Sequence, residues 1–501
     1  RPPRSTLFPY TTLFRSPAEV AALKGRADMV DVLAAAVRDR QELPDGVREI
    51  AVENDVLTLD AQTVAAARER ARRSGRPHNL AREIFEIEIV HALADQVAER
   101  IGADPLGGEN LLDEADRAEI RRELREEPEV RAALDELWPV LTPQRLLADL
   151  FASPRRLATA APHLTEQQRQ LLYREPGGGW SPADVPLLDE AAELLGEDDR
   201  VARARAARIR QRQLEYAEGV IDITRGSRSI DLEDVREDDI EVLSVADLID
   251  AERLAQRHEQ EERLTTAERA AADRRWAFGH VIVDEAQELS PMAWRLLMRR
   301  CPSRSMTIVG DVAQTGALAG ATSWQEVLEP YVADRWRLAE LTVSYRTPAE
   351  IMELAGKVLT RIDASLSPPR PVRWTGVPPW EREVPPEALT EEVVAATLRE
   401  ATEVGEGRVG VLVPDGLAAE LGEAVLAAVP EAAVGEEPNL ETRVVLLTVR
   451  QAKGLEFDAV LVVDPDRIVA ESPRGHNDLY VALTRATRRL GILRPAAAKD
   501  G

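Results

Sequence analysis

The chain has 501 residues and a formal net charge of -25, with 44% hydrophobic and 31% charged residues. That length calls for two to four domains rather than one core. No stretch of apolar residues is long enough to cross a membrane, and no secretory leader is read. The lone cysteine, Cys301, excludes an intramolecular disulfide and fits a reducing cytoplasm. A protein that tracks a nucleic-acid backbone usually carries a basic stripe. The acidic balance and an aromatic content of only 4% weigh against that, and an acidic body suits a protein that competes with nucleic acid for a basic channel.

Residues 1–16 are set aside first. Thr6-Leu7-Phe8 recurs as Thr12-Leu13-Phe14, and the segment resembles translated adaptor sequence from assembled reads. The pattern from Pro17 to Arg40 is helical, with Pro17 near the start and Val20, Leu23, Met29, Val32 and Leu33 as the apolar set. Arg48 to Leu59 reads as a hairpin turning at Asn54-Asp55. Residues 61–217 are rich in Ala, Leu, Arg and Glu at helical spacing, broken at Ser74 to Pro77, Gly107-Gly108 and Pro176 to Gly179. Ser181-Pro182 is expected to cap a helix running to Leu195. The basic run Arg203, Arg205, Arg208, Arg210 and Arg212 reads either as a contact for nucleic acid or an acidic partner, or as a solvated helix beside Asp231 to Glu241. The second reading is preferred.

From Phe278 the texture changes to short apolar runs alternating with helices. Val281–Val283, Met306–Val309, Val409–Val413, Val444–Leu447 and Ala459–Val463 are each expected to be buried parallel strands, which makes this part α/β. The proline-rich Pro368 to Pro386 reads as a linker or surface loop.

The first of these strands runs directly into Asp284-Glu285-Ala286-Gln287. That places two carboxylates at the C-terminal edge of a parallel sheet, where such folds bind nucleotides. Mg²⁺ needs only one or two carboxylates, and an adjacent glutamate can activate a water. A bare Asp-Glu is weak evidence, but four further blocks follow in order. They are Gly310-Asp311-Val312-Ala313-Gln314, Leu341 to Thr347 with Tyr345-Arg346, Leu447 to Asp458 with Lys453-Gly454-Leu455-Glu456, and Tyr480 to Ala486 with Arg485.

These five blocks resemble motifs II to VI of superfamily 1 helicases of the UvrD type, over about residues 278–490. The resemblance implies two RecA-like motor lobes, the first incomplete, with a large α-helical insertion. It implies Asp284 as the Mg²⁺ ligand and Glu285 as general base, with Gln287 and Gln314 sensing the γ-phosphate of ATP. Tyr345 would stack on adenine, Arg346 and Arg485 would clamp the γ-phosphate, Gly454 would allow close backbone approach, and Glu456 would touch the ribose. The boundaries that follow are 1–16 as non-native, 17–60 as a remnant of the first lobe, 61–245 as the insertion, 246–340 as the rest of the first lobe, and 341–501 as the second.

Two departures matter. No Gly-x-x-x-x-Gly-Lys-Ser/Thr loop occurs, and Ala355-Gly356-Lys357-Val358 lacks the first glycine and the hydroxyl. The loop is expected upstream of residue 17. The expectation is therefore poor ATP binding by this chain and ATPase activity in an intact protein. The segment Thr315 to Gly320 has no aromatic side chain, whereas helicases of this type stack bases there, at about 1–3 kcal/mol per base. Together with Arg72 to Asn79, Trp180 to Ala191 and Gly310 to Gln314, this resembles the actinobacterial HelD branch. Its members act on RNA polymerase through a helical insertion and an N-terminal arm. DNA, as the substrate of a UvrD-type repair helicase, is the second partner class.

Overall fold

The computed structural model describes residues 17–52, 55–103, 110–196, 273, 276–435 and 439–496. The Arg203 to Arg212 run, residues 1–16 and most of the stretch between 197 and 275 lie outside them. The chain forms two compact units, one made of 28–277 and the other of 1–27 with 278–501.

The helical stretch Pro17 to Arg40 forms two helices, Pro17–Lys24 and Met29–Asp39. The break falls at Gly25, whose carbonyl accepts from the Met292 amide (3.1 Å). A Cβ there would lie 2.5 Å from Ser290 Cβ, so only glycine permits the approach.

In the first unit, β1 (Arg48–Val52) and β2 (Asp55–Leu59) pair antiparallel with Val52 opposite Asp55, so the expected hairpin is present but Asp55 belongs to the second strand rather than to the turn. Their inward residues Ile50, Leu57 and Leu59 join one core with Val64, Phe85, Ile89 and Trp138 from the helices that follow. The Met29–Asp39 helix likewise packs on the helices Pro154–Ala160 and Val185–Leu195. Residues 28–60 therefore share cores with the helices, although the sequence reading had grouped them with the first motor lobe. The helical texture holds from Ala61 to Leu195 in the described residues. Its helix starts are capped by Asp60, Asp113, Thr142, Ser153 and Thr165, each accepting from a backbone amide three residues on. Ser181-Pro182 opens a short 3-10 turn that leads into Val185–Leu195.

Polar residues of the Arg72 to Asn79 string have a structural role here. The buried His78 ring donates through Nε2 to the Pro139 carbonyl (2.8 Å), so its Nδ1 accepts from Gln41 Nε2 (3.1 Å). It stacks on Trp138, and Arg72 Nε donates to Gln41 Oε1 (2.7 Å). Asn79 closes the network on the Leu141 amide and carbonyl. Burial pushes the His78 pKa down to about 4 from 6.5. At pH 7 the ring is neutral whether folded or unfolded. Between about 6.5 and 4 only the unfolded chain takes up the proton, so stability falls as pH drops through that window. The loss is up to about 3 kcal/mol. Urea unfolding followed at pH 7 and pH 5 is expected to show this slope in the wild type. His78→Gln should show a flatter one; equal slopes would remove His78 from the account.

The second unit begins its sheets with β3 (Val281–Val283) and β4 (Met306–Ile308), which pair parallel. They cover a small core of Val283, Trp294, Met298 and Leu328, while Ile282 on the other face is 72% exposed. β5 (Val343–Ser344) and β6 (Arg370–Pro371) form a second parallel pair.

A five-stranded parallel sheet follows, in the order β7 (Trp380–Val384), β11 (Ala486–Pro495), β10 (Phe457–Val463), β8 (Val409–Val413), β9 (Val444–Thr448). It is buried on both faces because alternate residues feed two cores. Leu412, Val445, Leu447, Val460 and Val462 pack with the helices Ala349–Ile362 and Gly475–Thr484. Val409, Val411, Leu446, Leu461 and Val463 pack with Leu389–Val404 and Ala418–Ala428.

The proline-rich stretch is not a linker. Arg370–Pro371 and Trp380–Val384 are both strands, the second an edge strand in register with Gly491–Pro495. Prolines flank Trp380–Val384 and none lies inside it, as edge pairing allows. Glu400 anchors this side from the core, accepting from Trp380 Nε1 (2.8 Å) and Arg489 Nε (2.7 Å).

Candidate active site

The strand β3 ends at Val283, and the chain turns sharply beyond it. Asp284 Oδ1 accepts from the Glu285 amide (2.8 Å), and Glu285 takes a left-handed backbone conformation, φ 49°. For a non-glycine residue that conformation costs about 1–3 kcal/mol, and such residues concentrate at functional sites. The turn leaves Glu285 exposed and Gln287 buried.

From Glu285 a hydrogen-bonded chain runs across the unit. Gln287 Nε2 donates to Glu285 Oε2 (2.7 Å), while its Oε1 accepts from the Asp311 amide (3.1 Å). Gln314 Nε2 donates to Asp311 Oδ2 (2.9 Å). Arg485 Nη2 then donates to Gln314 Oε1 (2.8 Å). Four of the expected site residues, Glu285, Gln287, Gln314 and Arg485, thus lie on one continuous path. Gln314 and Arg485 are 171 residues apart in sequence.

Arg485 sits at the C-terminal end of the helix Gly475–Thr484 and is only 3% exposed. It also donates to the carbonyls of Val481 (3.2 Å) and Leu455 (3.3 Å). Burial lowers its pKa, with the neighbouring Arg346 charge adding to the effect and Glu285 and Glu456 opposing it. Guanidinium remains protonated in proteins, so this is a buried, fixed cation. Burial similarly raises Tyr480, one helical turn before Thr484, to about 12.

Arg346 is not on the path but is held beside it. Its Nε contacts Glu456 Oε2 at 2.7 Å, which joins the expected second phosphate clamp to the expected ribose ligand. Tyr345 projects into solvent, 73% exposed. Gly454 has φ +74°, a left-handed turn that a side chain would strain, so the glycine is required by conformation. Its expected role in close approach finds open space around the Cα, with nothing within 4 Å of a Cβ built there.

Asp284, the expected metal ligand, is exposed at the end of β3. Among the described residues no three His, Cys, Asp or Glu side chains gather at one point. A single exposed carboxylate fits Mg²⁺, which keeps several waters and takes its other ligands from phosphate oxygens.

Sequence reasoning passed over Glu288, and it named Asp311 and Lys453 within their blocks without giving either a role. Asp311 carries the hydrogen-bonded path between the two glutamines. Glu288 contacts Lys453 at 2.8 Å. Only their partners in space distinguish them.

Parallel sheets edged by a carboxylate pair, two glutamines and a buried arginine define an α/β protein with a nucleotide-type site. Family comparisons make the class specific. Residues 53–315 match the UvrD/REP helicase N-terminal domain, and residues 443–493 match the UvrD-like helicase C-terminal domain. The chain belongs to the UvrD-like superfamily 1 helicases. Among solved structures it is similar to the C-terminal domain of a possible DNA helicase from Lactobacillus plantarum WCFS1, at 20% identity and TM-score 0.26. That match covers 31% of this chain and 91% of the other. It is also similar to the PRRSV helicase, at 17% identity and TM-score 0.26, covering 43% of this chain and 35% of the other. The Arterivirus nonstructural protein 10 helicase, solved with DNA, matches at 18% identity and TM-score 0.23, covering 44% and 40%. The chain thus spans well under two thirds of the two viral helicases. No curated protein sequence matches. No helix among the described residues is long and apolar enough to cross a membrane.

Proposed function

We propose that this chain is the catalytic part of an ATP-hydrolysing motor of the HelD type, which binds RNA polymerase and remodels or recycles it in the cytoplasm. The observation that carries the motor reading is the Gln314–Arg485 hydrogen bond (2.8 Å). It joins the loop after β4 to the end of the Gly475–Thr484 helix, so a ligand that moves either partner moves the other. In this reading residues 246–340 and 341–501 are the two lobes and 61–245 is the inserted helical domain, whose cores residues 28–60 join.

The residues then act as follows. Glu285 accepts a proton from the attacking water, and Gln287 orients its carboxylate through the 2.7 Å hydrogen bond. Arg485 and Arg346 meet the charge that develops on the transferred phosphoryl group. Arg346 is held by Glu456 until phosphate competes for it, which frees Glu456 for the ribose. Tyr345 offers an exposed ring to the base. Asp284 would hold Mg²⁺, which supplies charge neutralisation at the phosphates when bound.

Two features support RNA polymerase over DNA as the partner. The segment Thr315 to Gly320 offers no base-stacking ring, and its backbone is engaged by protein groups at Glu288 and Arg474. The net charge is -25. The test is a pull-down of RNA polymerase by the full-length protein with single-stranded DNA as competitor. Retention of polymerase that DNA does not displace is the expected result. Tight binding of single-stranded DNA with no polymerase captured would replace this reading with a UvrD-type 3′-to-5′ DNA helicase.

A further inference from the structure

The loop that carries Gln314 is gripped at several points beyond the site itself. Glu288 Oε1 accepts from Lys453 Nζ (2.8 Å) and from the Gly316 amide (2.8 Å), and Glu288 Oε2 accepts from the Ala317 amide (2.9 Å). Lys453 lies in the loop after β9, 165 residues further along the chain. Its ammonium stands directly over Gly316, since a Cβ built there would lie 2.0 Å from Lys453 Nζ. The same Cβ would lie 3.1 Å from Oδ1 of Asp478, a buried oxygen with no hydrogen-bond partner among the described residues. Asn477 Nδ2 donates to the Ala313 carbonyl (2.9 Å), and Arg474 Nη2 donates to the Gly320 carbonyl (3.0 Å).

These contacts have a common geometry. The helix Gly475–Thr484 touches the 312–320 loop at both ends, through Arg474 and Asn477 at its start and through Arg485 on Gln314 at its finish. It is a rigid bar about 15 Å long, at the standard rise per residue. The orientation of Arg485 on Gln314 therefore depends on how the loop is held at the other end. The Glu288–Lys453 pair holds it by clamping two consecutive backbone amides, and the pair is half-sheltered, with side-chain exposures of 28% and 25%. A hydrogen-bonded ion pair in that setting is stronger than one in open solvent.

We infer that Glu288, Lys453 and Gly316 form a clasp between the two halves of the site, which positions Gln314 against Arg485. They are positioning residues, since none of them lies on the path from Glu285 to Arg485. Gly316 is part of the device because any side chain there displaces the ammonium. The inference rests on the proposed role of Gln314 and Arg485 in ATP hydrolysis.

Lys453→Met, Lys453→Arg and Gly316→Ala in the full-length protein test it, with Arg485→Ala as the reference. Peptide-level hydrogen exchange over residues 312–320 is expected to quicken about tenfold in Lys453→Met and Gly316→Ala, the loss of one charge-assisted hydrogen bond. The kcat for ATP is expected to fall about tenfold with KM little changed. Lys453→Arg, which keeps the charge, is expected to recover most of both. Wild-type exchange and kcat in both disrupting variants would overturn the clasp. Faster exchange with unchanged kcat, while Arg485→Ala still abolishes turnover, would leave a structural contact and overturn the positioning role alone. If Arg485→Ala itself leaves kcat intact, the motor reading falls and the positioning role falls with it. Should Gly316→Ala fail to fold, the two Lys453 variants decide the matter.

Discussion

Replacing Arg485 with alanine in the full-length protein is expected to lower ATP turnover by about 10³-fold or more, the contribution of an arginine that meets transition-state charge. The side chain is 3% exposed and donates to three carbonyl oxygens, on Gln314, Val481 and Leu455, and to the Thr484 hydroxyl. Its position is therefore fixed before any ligand arrives, and pre-positioned charge is worth more than charge that must reorganise. Lysine is not an adequate substitute, because one flexible ammonium cannot satisfy these acceptors placed around a planar fork. Arg485→Lys is expected to fall close to the alanine variant. Removing the guanidinium also leaves the Gln314 carbonyl oxygen without this donor, so some stability is lost along with turnover. Thermal melting and steady-state kinetics on the same samples separate the two losses. A variant that melts like the wild type and still turns over ATP within about threefold of it would exclude Arg485 from the chemistry.

In the full-length protein, Glu285→Gln is expected to reduce turnover by about 10²- to 10⁴-fold while nucleotide binding is retained. The substitution keeps the side-chain length and leaves an oxygen that can accept from Gln287 Nε2, so the hydrogen-bonded path to Gln314 survives. What it removes is the capacity to take a proton. Binding of a fluorescent ATP analogue, set beside single-turnover hydrolysis, checks this. Loss of binding equal to the loss of hydrolysis would mean that Glu285 holds the nucleotide rather than activates water. Glu285 also sits at φ 49°, so the turn after β3 is part of its placement. The strain there aims the carboxylate out of the sheet and into solvent, and Gln287, two residues on, turns inward.

The sequence by itself determined the elements whose signal is local. Runs such as Val-Gly-Val-Leu-Val and Val-Val-Leu-Leu are buried on both faces, and an unbroken apolar pattern is the direct mark of a strand between two layers. Polar caps fixed most helix starts in the 61–195 region in the same way. The order of the five motif blocks made the family legible, and among the residues it named, Glu285, Gln287, Gln314 and Arg485 are joined by hydrogen bonds in the fold. The paired strand Ala486–Pro495 escaped, because Ala486 is followed by Thr487, Arg488 and Arg489, whose partners Phe457, Asp458 and Glu400 are far away in sequence.

What only the tertiary structure decided were contacts between residues that carry no local pattern. Gly25 interrupts a good helix because Ser290 packs against it. Trp380–Val384 is a strand because β11 offers it an unpaired edge. Glu288, Lys453 and Asp478 look like ordinary surface charges until folding stacks them around Gly316. Hydrophobic periodicity is a property of neighbours along the chain, so it survives in the sequence. A hydrogen bond spanning 165 residues is set by the packing of whole elements, and no short window of residues contains it.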